Sequence, residues 1–207
     1  MIEKPNPSVV TGKKEIIQAK DVPMVLGDKI TFQGALEAMK RSDFVVNENI
    51  LGPFMAGIGE LGDVPVQALA LAQAAHETEG FTKLEDKEAG KCEYPSSNFP
   101  DKCFHGRGYF QLRGVKFYTK VSLGLGLASE LIADPDKIVD PETAKNVAIW
   151  QWKNLIAKKK KTFKKMLDLT RAIQGGRVQP TSWSAKNRYR IYQRICETIN
   201  IASIAEK

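Results

Sequence analysis

The sequence predicts a mainly α-helical fold with at most a small β element, in a chain long enough for one well-cored domain or for two lobes sharing a cleft. Apolar residues recur at three- and four-residue spacing in several segments, and capping residues open most of them. Only GYFQL, residues 108–112, reads as a strand. The 207 residues are 43% hydrophobic and 27% charged, an ordinary globular composition that argues against disorder.

Residues 1–28 read as a tail, punctuated by Pro5, Pro7 and Pro23 with few apolar residues in register, so a single domain is expected over 29–207. Thr31 caps a helix carrying Phe32, Ala35, Leu36 and Met39, and Asn47 caps a short segment that Gly52-Pro53 should end. Asp63 opens the next helix, with Pro65 in the first turn, where a missing N–H does no harm. Val66, Leu69, Ala70 and Gln73 follow on one stripe, and Glu77 is its next step. An apolar line that turns polar at its C-terminal end is the pattern of a helix with one end in the core and the other on a cleft.

From Thr82 to Arg113 the period disappears into Gly, Pro, Ser, Asn and charge, and a loop this long in a compact domain is functional or disordered. Helical patterning returns at Asp140-Pro141-Glu142, with Ala144, Val147, Ala148, Trp152 and Leu155 on one face. A further helix from about Phe163 to Ile173 should stop at Gly175-Gly176. The last helix carries Arg188, Tyr192, Ile195 and Ile199 on one stripe.

No apolar stretch reaches the roughly 18 residues of a bilayer span, and no secretory signal is visible in MIEKPNPSVVTGKKEIIQAKD. The formal charge of +7 favours anionic surfaces, and much of the excess sits between Lys153 and Lys165. Such a run reads first as a solvated face. Nucleic-acid binding through Lys158 to Lys161 would bring steep salt dependence, but no base-stacking motif accompanies it. Cys92 and Cys103 flank a Pro/Ser/Asn-rich loop they could staple, which suits an oxidising compartment; the alternative is three reduced, buried thiols, Cys196 included.

Chemistry is best sought around AQAAHETEGF, residues 72–81. His76-Glu77 lacks the second imidazole of a zinc-protease helix, because position 80 is Gly. His76, His105, Cys92 and Cys103 match no common zinc spacing, and no G-x-S-x-G turn is present. What remains is carboxylates: Glu77 at a helix end, then Glu85, Asp86 and Glu88 in the loop beyond. Hydrolysis of a glycosidic bond asks for one enclosed, protonated carboxyl and one ionised carboxylate that activates water, with no metal or organic cofactor.

HETEGF, CFHGRGYFQLRG, ADPDKIVDPETAKNVAIWQW, AIQGG and NRYRIYQRIC occur in the order seen in the family 19 glycoside hydrolases, the chitinases and related phage and bacterial wall lysins. The chain resembles that family over about residues 50–201. The resemblance implies a two-lobed, lysozyme-like fold and inverting cleavage of β-1,4-linked N-acetylglucosamine polymers, chitin first and peptidoglycan second. A secreted or wall-associated monomer is expected, with no membrane or nucleic-acid partner.

Residue by residue, Glu77 matches the general acid. For the general base, ungapped alignment gives Asp86 and a one-residue gap gives Glu85, with Glu85 narrowly preferred. His76, Arg107, Tyr109, Gln111 and Gln174 match substrate-side positions, Tyr109 being expected to enclose Glu77, and Arg188 matches a charge partner of the acid. Trp150 and Trp152 serve either core packing or sugar contact. Three departures stand out: Arg113 occupies the place of a Ser or Thr that helps hold the attacking water, Gln174 replaces an asparagine, and the glutamate expected near Arg177 and Val178 is absent. These changes either shift substrate preference or mark a weak, chitin-binding relative.

Overall fold

The computed structural model describes residues 23–86, 92, 94–157, 166–174 and 178–205. The tail before Pro23, Glu88, the Lys158–Lys161 run and the Gly175-Gly176 stop lie outside the described residues. Two short antiparallel strands, β1 (Val25–Leu26) and β2 (Lys29–Ile30), straddle the boundary expected at residue 28. Thr31, extended at φ −77 and ψ 160, caps α1 (Phe32–Arg41) by accepting from the Gly34 N–H.

Asn47 caps α2 (Glu48–Ala56), but this helix runs through Pro53 instead of ending there. Proline removes one ladder hydrogen bond. Leu51, Phe54 and Met55 are all buried on this helix, and burying side chains of that size contributes about 1.5–3 kcal/mol each, enough to carry the turn past the proline.

Asp63 caps α3 (Val64–Glu77) through the Val66 N–H, and Pro65 lies in the first turn. All nine residues from Gln67 to Ala75 are buried, so α3 is a central helix enclosed on every side, more than the single stripe its spacing implies. Its two buried carboxamides are satisfied: Gln67 accepts from Ile30 N–H and donates to Asp28 and Gly62 carbonyls, and Gln73 bonds residues described below. After Glu77 the chain reverses sharply, with Glu79, Gly80 and Phe81 all at positive φ. Phe81 stays there because its ring packs 5.4 Å from Phe54 in the core.

The loop expected from Thr82 to Arg113 contains β3 (Glu85–Asp86), β4 (Pro95–Ser96), β5 (Phe99–Cys103) and β6 (Gly106–Arg107), in two short ribbons pairing β3 with β6 and β4 with β5. GYFQL is not a strand. Residues Gly108 to Gln111 form a tight turn, with Gly108 at φ 77 and Gln111 at φ 46. A strand would send Tyr109 and Phe110 to opposite faces. Both are buried, with ring centroids 4.9 and 6.2 Å from Phe54, and the turn is what brings the two rings to the same core.

The remainder is helical: α4 (Val115–Gly124), α5 (Glu130–Ala133), α6 (Pro141–Gln151, capped by Asp140 with Pro141 at its start), α7 (Met166–Gln174) and α8 (Trp183–Ile199, capped by Ser182). Trp152–Ile156 continue α6 as a π-helical turn. Two apolar clusters give the molecule its lobes. The larger gathers side chains of α1, α2, α3 and α8, and the smaller surrounds Phe104, Tyr118, Val121, Leu131 and Ile138. Helix α6 joins them, with Ala144 and Ala148 in the first and Val147 in the second. Among the described residues no helix is long and apolar enough to cross a membrane.

Candidate active site

A groove of about 260 Å³ lies where the lobes meet. Glu77 reaches it from the end of α3; Phe110, Gln111, Leu112 and Arg113 from the turn after β6; Tyr94 and Phe117 from the smaller lobe; Gln151 and Ile156 from α6 and its continuation; Ile173 and Gln174 from α7.

The Glu77 side chain is 9% exposed, and its Oε1 accepts from Arg188 Nη2 at 2.7 Å. Arg188, on the otherwise apolar stripe of α8, is fully buried. Its other donors are also engaged, Nη1 with Gln73 Oε1 at 2.6 Å and Nε with Ser184 Oγ at 3.3 Å. Burial pushes the Arg188 pKa down and the Glu77 carboxylate opposes that, so the charge is kept by its partner.

His76 turns toward α8. Its Nδ1 meets Asn187 Nδ2 at 3.0 Å, its Nε2 meets Ser184 Oγ at 3.1 Å, and its ring lies 5.4 Å from Trp183. Burial first, and the Arg188 charge second, push its pKa down to about 3, so the ring is neutral at ordinary pH. It braces the helix pair that carries Glu77 and is not among the groove-lining residues.

The β3–β6 ribbon separates the two candidate bases. Glu85 stands opposite Arg107, and Asp86 opposite Gly106. Neighbouring residues on a strand face opposite ways, while directly opposed residues share a face. Glu85 therefore joins the buried Arg107: its Oε1 is 2.6 Å from His105 Nε2 and 3.3 Å from Arg107 Nε. Arg107 further binds Asp136 at 2.5 Å, Tyr118 Oη at 3.0 Å and the Cys103 carbonyl at 2.9 Å. Asp86 lies on the other face, where Arg113 Nη2 donates to its Oδ2 at 2.6 Å. A Cβ at position 106 would stand 2.4 Å from Gln111 Oε1 and 2.8 Å from Arg113 Nε, so these two side chains lie over that face of Gly106. Asp86 thus shares its face of the ribbon with two groove-lining side chains.

Of the residues singled out from sequence, Glu77, Gln111 and Gln174 line the groove, Arg188 stands behind Glu77, and Asp86 joins through Arg113. Arg107 is a structural hub. Tyr109, expected to enclose Glu77, is instead a core residue whose hydroxyl donates to the Ile50 carbonyl at 2.6 Å; its neighbour Phe110 forms the wall. Trp152 is buried with its Nε1 donating to the Leu61 carbonyl at 2.8 Å, and Trp150 packs on the smaller cluster, so core packing accounts for both. Cys92 and Cys103 form a disulfide, with Cα atoms 5.5 Å apart, and Cys196 is a buried free thiol. Sequence reasoning missed Gln73 and Gln151. A glutamine on the apolar stripe of α3 was a visible signal for the first; nothing local distinguishes the second.

No family model matches the chain. It is 32% identical to an endochitinase of Arabidopsis thaliana over an alignment of 144 residues that covers 65% of this chain, and it spans about half the length of that curated relative, 48%. The class IV, family GH19 chitinase of Zea mays superposes with a TM-score of 0.55 at 19% identity, covering 83% of this chain and 81% of that one. Chitinase C of Streptomyces griseus HUT6037 gives a TM-score of 0.55 at 18% identity, covering 85% and 88%. At these identities the two structures establish the fold, which this chain shares.

Proposed function

We propose, for a chain whose motifs and fold are those of the family 19 glycoside hydrolases, that it hydrolyses β-1,4-linked N-acetylglucosamine polymers, chitin first, with inversion at the anomeric carbon. The observation that carries this reading is a pair of acids tied to one groove: Glu77 at the tip of α3 and Asp86 held by groove-lining Arg113. Glu77 gives its proton to the leaving glycosidic oxygen as the bond to the anomeric carbon breaks. Asp86 takes a proton from the water that forms the new bond to that carbon from the opposite side. The ribbon geometry favours Asp86 over Glu85, whose carboxylate is engaged by His105 and Arg107. Arg113 orients Asp86 through one oxygen and leaves the other for water. Gln111 and Gln174 offer carboxamides to the sugar's hydroxyl and acetamido groups. The Cys92–Cys103 bridge supports an oxidising, secreted or wall-associated setting.

The test is release of reducing ends from chitin hexamer and from purified peptidoglycan by wild type and Glu77→Gln, with the first-formed anomer read by NMR. Wild type is expected to release the α-anomer from chitin, and Glu77→Gln to lose about 10²-fold or more in rate. Absence of product from both polymers sinks the hydrolase reading. The 2.6 Å clamp of Arg113 on Asp86 favours one second reading, a glycan-binding protein without turnover. In that case both proteins bind chitin hexamer equally and neither releases product.

A further inference from the structure

We propose that Gln73 is a positioning residue for the acid-base cycle of Glu77, acting through Arg188 by occupying one of the two guanidinium amino groups that would otherwise clamp the carboxylate from both sides. The inference rests on the reading of Glu77 as the proton donor. A guanidinium facing a carboxylate prefers two parallel hydrogen bonds, and that fork is the strongest way to hold the carboxylate ionised. A proton donor so held would give up its function. Here the fork is divided: Nη2 goes to Glu77 Oε1 at 2.7 Å, and Nη1 goes to Gln73 Oε1 at 2.6 Å. Glu77 is left with one bond from Arg188 and a second oxygen able to carry a proton in the groove.

The orientation of Gln73 is forced. Arginine only donates, so the carboxamide oxygen must face it, and the amide nitrogen then points to Met166 Sδ at 2.8 Å and Thr170 Oγ1 at 3.3 Å. All of these groups are buried, so water does not compete for them. The two anchors lie on α7, the helix that also brings Ile173 and Gln174 to the groove wall. Gln73 therefore holds the acid's cation in register with the wall against which a sugar would rest.

The charged groups around Glu77 leave this division as the controlling contact. Arg113 faces the same groove but is engaged by Asp86; His76 on α3 is neutral; Asp168 and Arg171 on α7 lie within 3.8 Å of each other; α6 contributes the uncharged Gln151.

The experiment is a carboxyl-¹³C NMR titration of Glu77 in the full chain, for wild type, Gln73→Glu and Gln73→Met, with folding checked by circular dichroism. Gln73→Met fills the same space without an acceptor and frees Nη1 to complete the fork, so the Glu77 midpoint should fall by about half a pH unit or more. Gln73→Glu divides the Arg188 charge between two carboxylates, and the midpoint should rise by about one unit, a tenfold change in the protonated fraction on its basic side. The basic limb of kcat against pH should move with each midpoint, and the acid limb should stay. If Gln73→Glu does not fold, Gln73→Asn, which is too short to reach Arg188, should shift in the direction of Gln73→Met. Midpoints that stay within about 0.2 unit of wild type, or move the same way in the Glu and Met variants, overturn the inference. A protein that cleaves neither polymer but shows the opposed shifts loses the hydrolase reading and keeps this coupling. An active enzyme with unmoved midpoints loses the coupling alone.

Discussion

Acidification should destabilise this protein through His76, and the effect can be sized. Burial of the imidazole, and second the Arg188 cation beside it, bring its pKa from 6.5 to about 3, and the neutral ring meets Ser184 and Asn187. Between those values the unfolded chain binds a proton that the folded one refuses, so stability rises with pH across that window. It is full above about 6.5 and is lost as pH falls toward 3. Each pH unit is worth about 1.4 kcal/mol, so the His76 contribution lost by pH 5 is roughly 2 kcal/mol, a large fraction of the stability of an ordinary domain. Urea unfolding of wild type and His76→Gln at pH 7.5 and pH 5 isolates it, because the carboxylates contribute alike to both proteins. Glutamine keeps a donor and an acceptor but has no proton to gain. Wild type should lose about 2 kcal/mol more than the variant over that interval. Unfolding free energies that fall in parallel to within about 0.5 kcal/mol would refute the claim that His76 is buried neutral.

Three further outcomes are expected. Asp86→Asn should lower kcat on chitin hexamer by about 10²–10⁴-fold with stability nearly unchanged, whereas Glu85→Gln should keep most of kcat and lose about 1–3 kcal/mol through its contacts with buried His105 and Arg107; the reverse pattern in rate and urea assays would return the base to Glu85. Tyr109→Phe removes the buried bond to the Ile50 carbonyl and should cost about 1–2 kcal/mol in urea unfolding with KM unchanged; a tenfold rise in KM would place Tyr109 back at the substrate. Thiol titration under denaturing conditions should count one free thiol before reduction and three after it, and reduction should destabilise the fold by about 3 kcal/mol for a bridge of sequence separation 11; three free thiols at the outset would exclude the bridge.

The β-ribbon shows why part of this site was unreadable. The sequence places Glu85 and Asp86 side by side, and alignment alone allows either to be the base. Which of them shares a face with groove-lining Arg113 depends on the register of Glu85 with Arg107, 22 residues along the chain, and a shift of one residue would exchange them. The turn at Gly108 to Gln111 has the same origin. Its residues suit a strand, and the shared burial of Tyr109 and Phe110 around Phe54 overrides that preference.

By itself the sequence determined four of the helices and where they begin. Thr31, Asn47, Asp63 and Asp140 each cap a helix through a backbone N–H two or three residues away, and interactions that local are written in consecutive letters. It also marked Glu77 and Arg188 as polar residues on apolar stripes. Only the tertiary structure decided that these two meet, that Arg188 is shared between Glu77 and Gln73, that Asp86 pairs with groove-lining Arg113 and that Glu85 pairs with His105 and Arg107. Those are contacts between segments from about 20 to more than 110 residues apart, and they come into being only when packing of the two apolar cores has closed the loops that separate them.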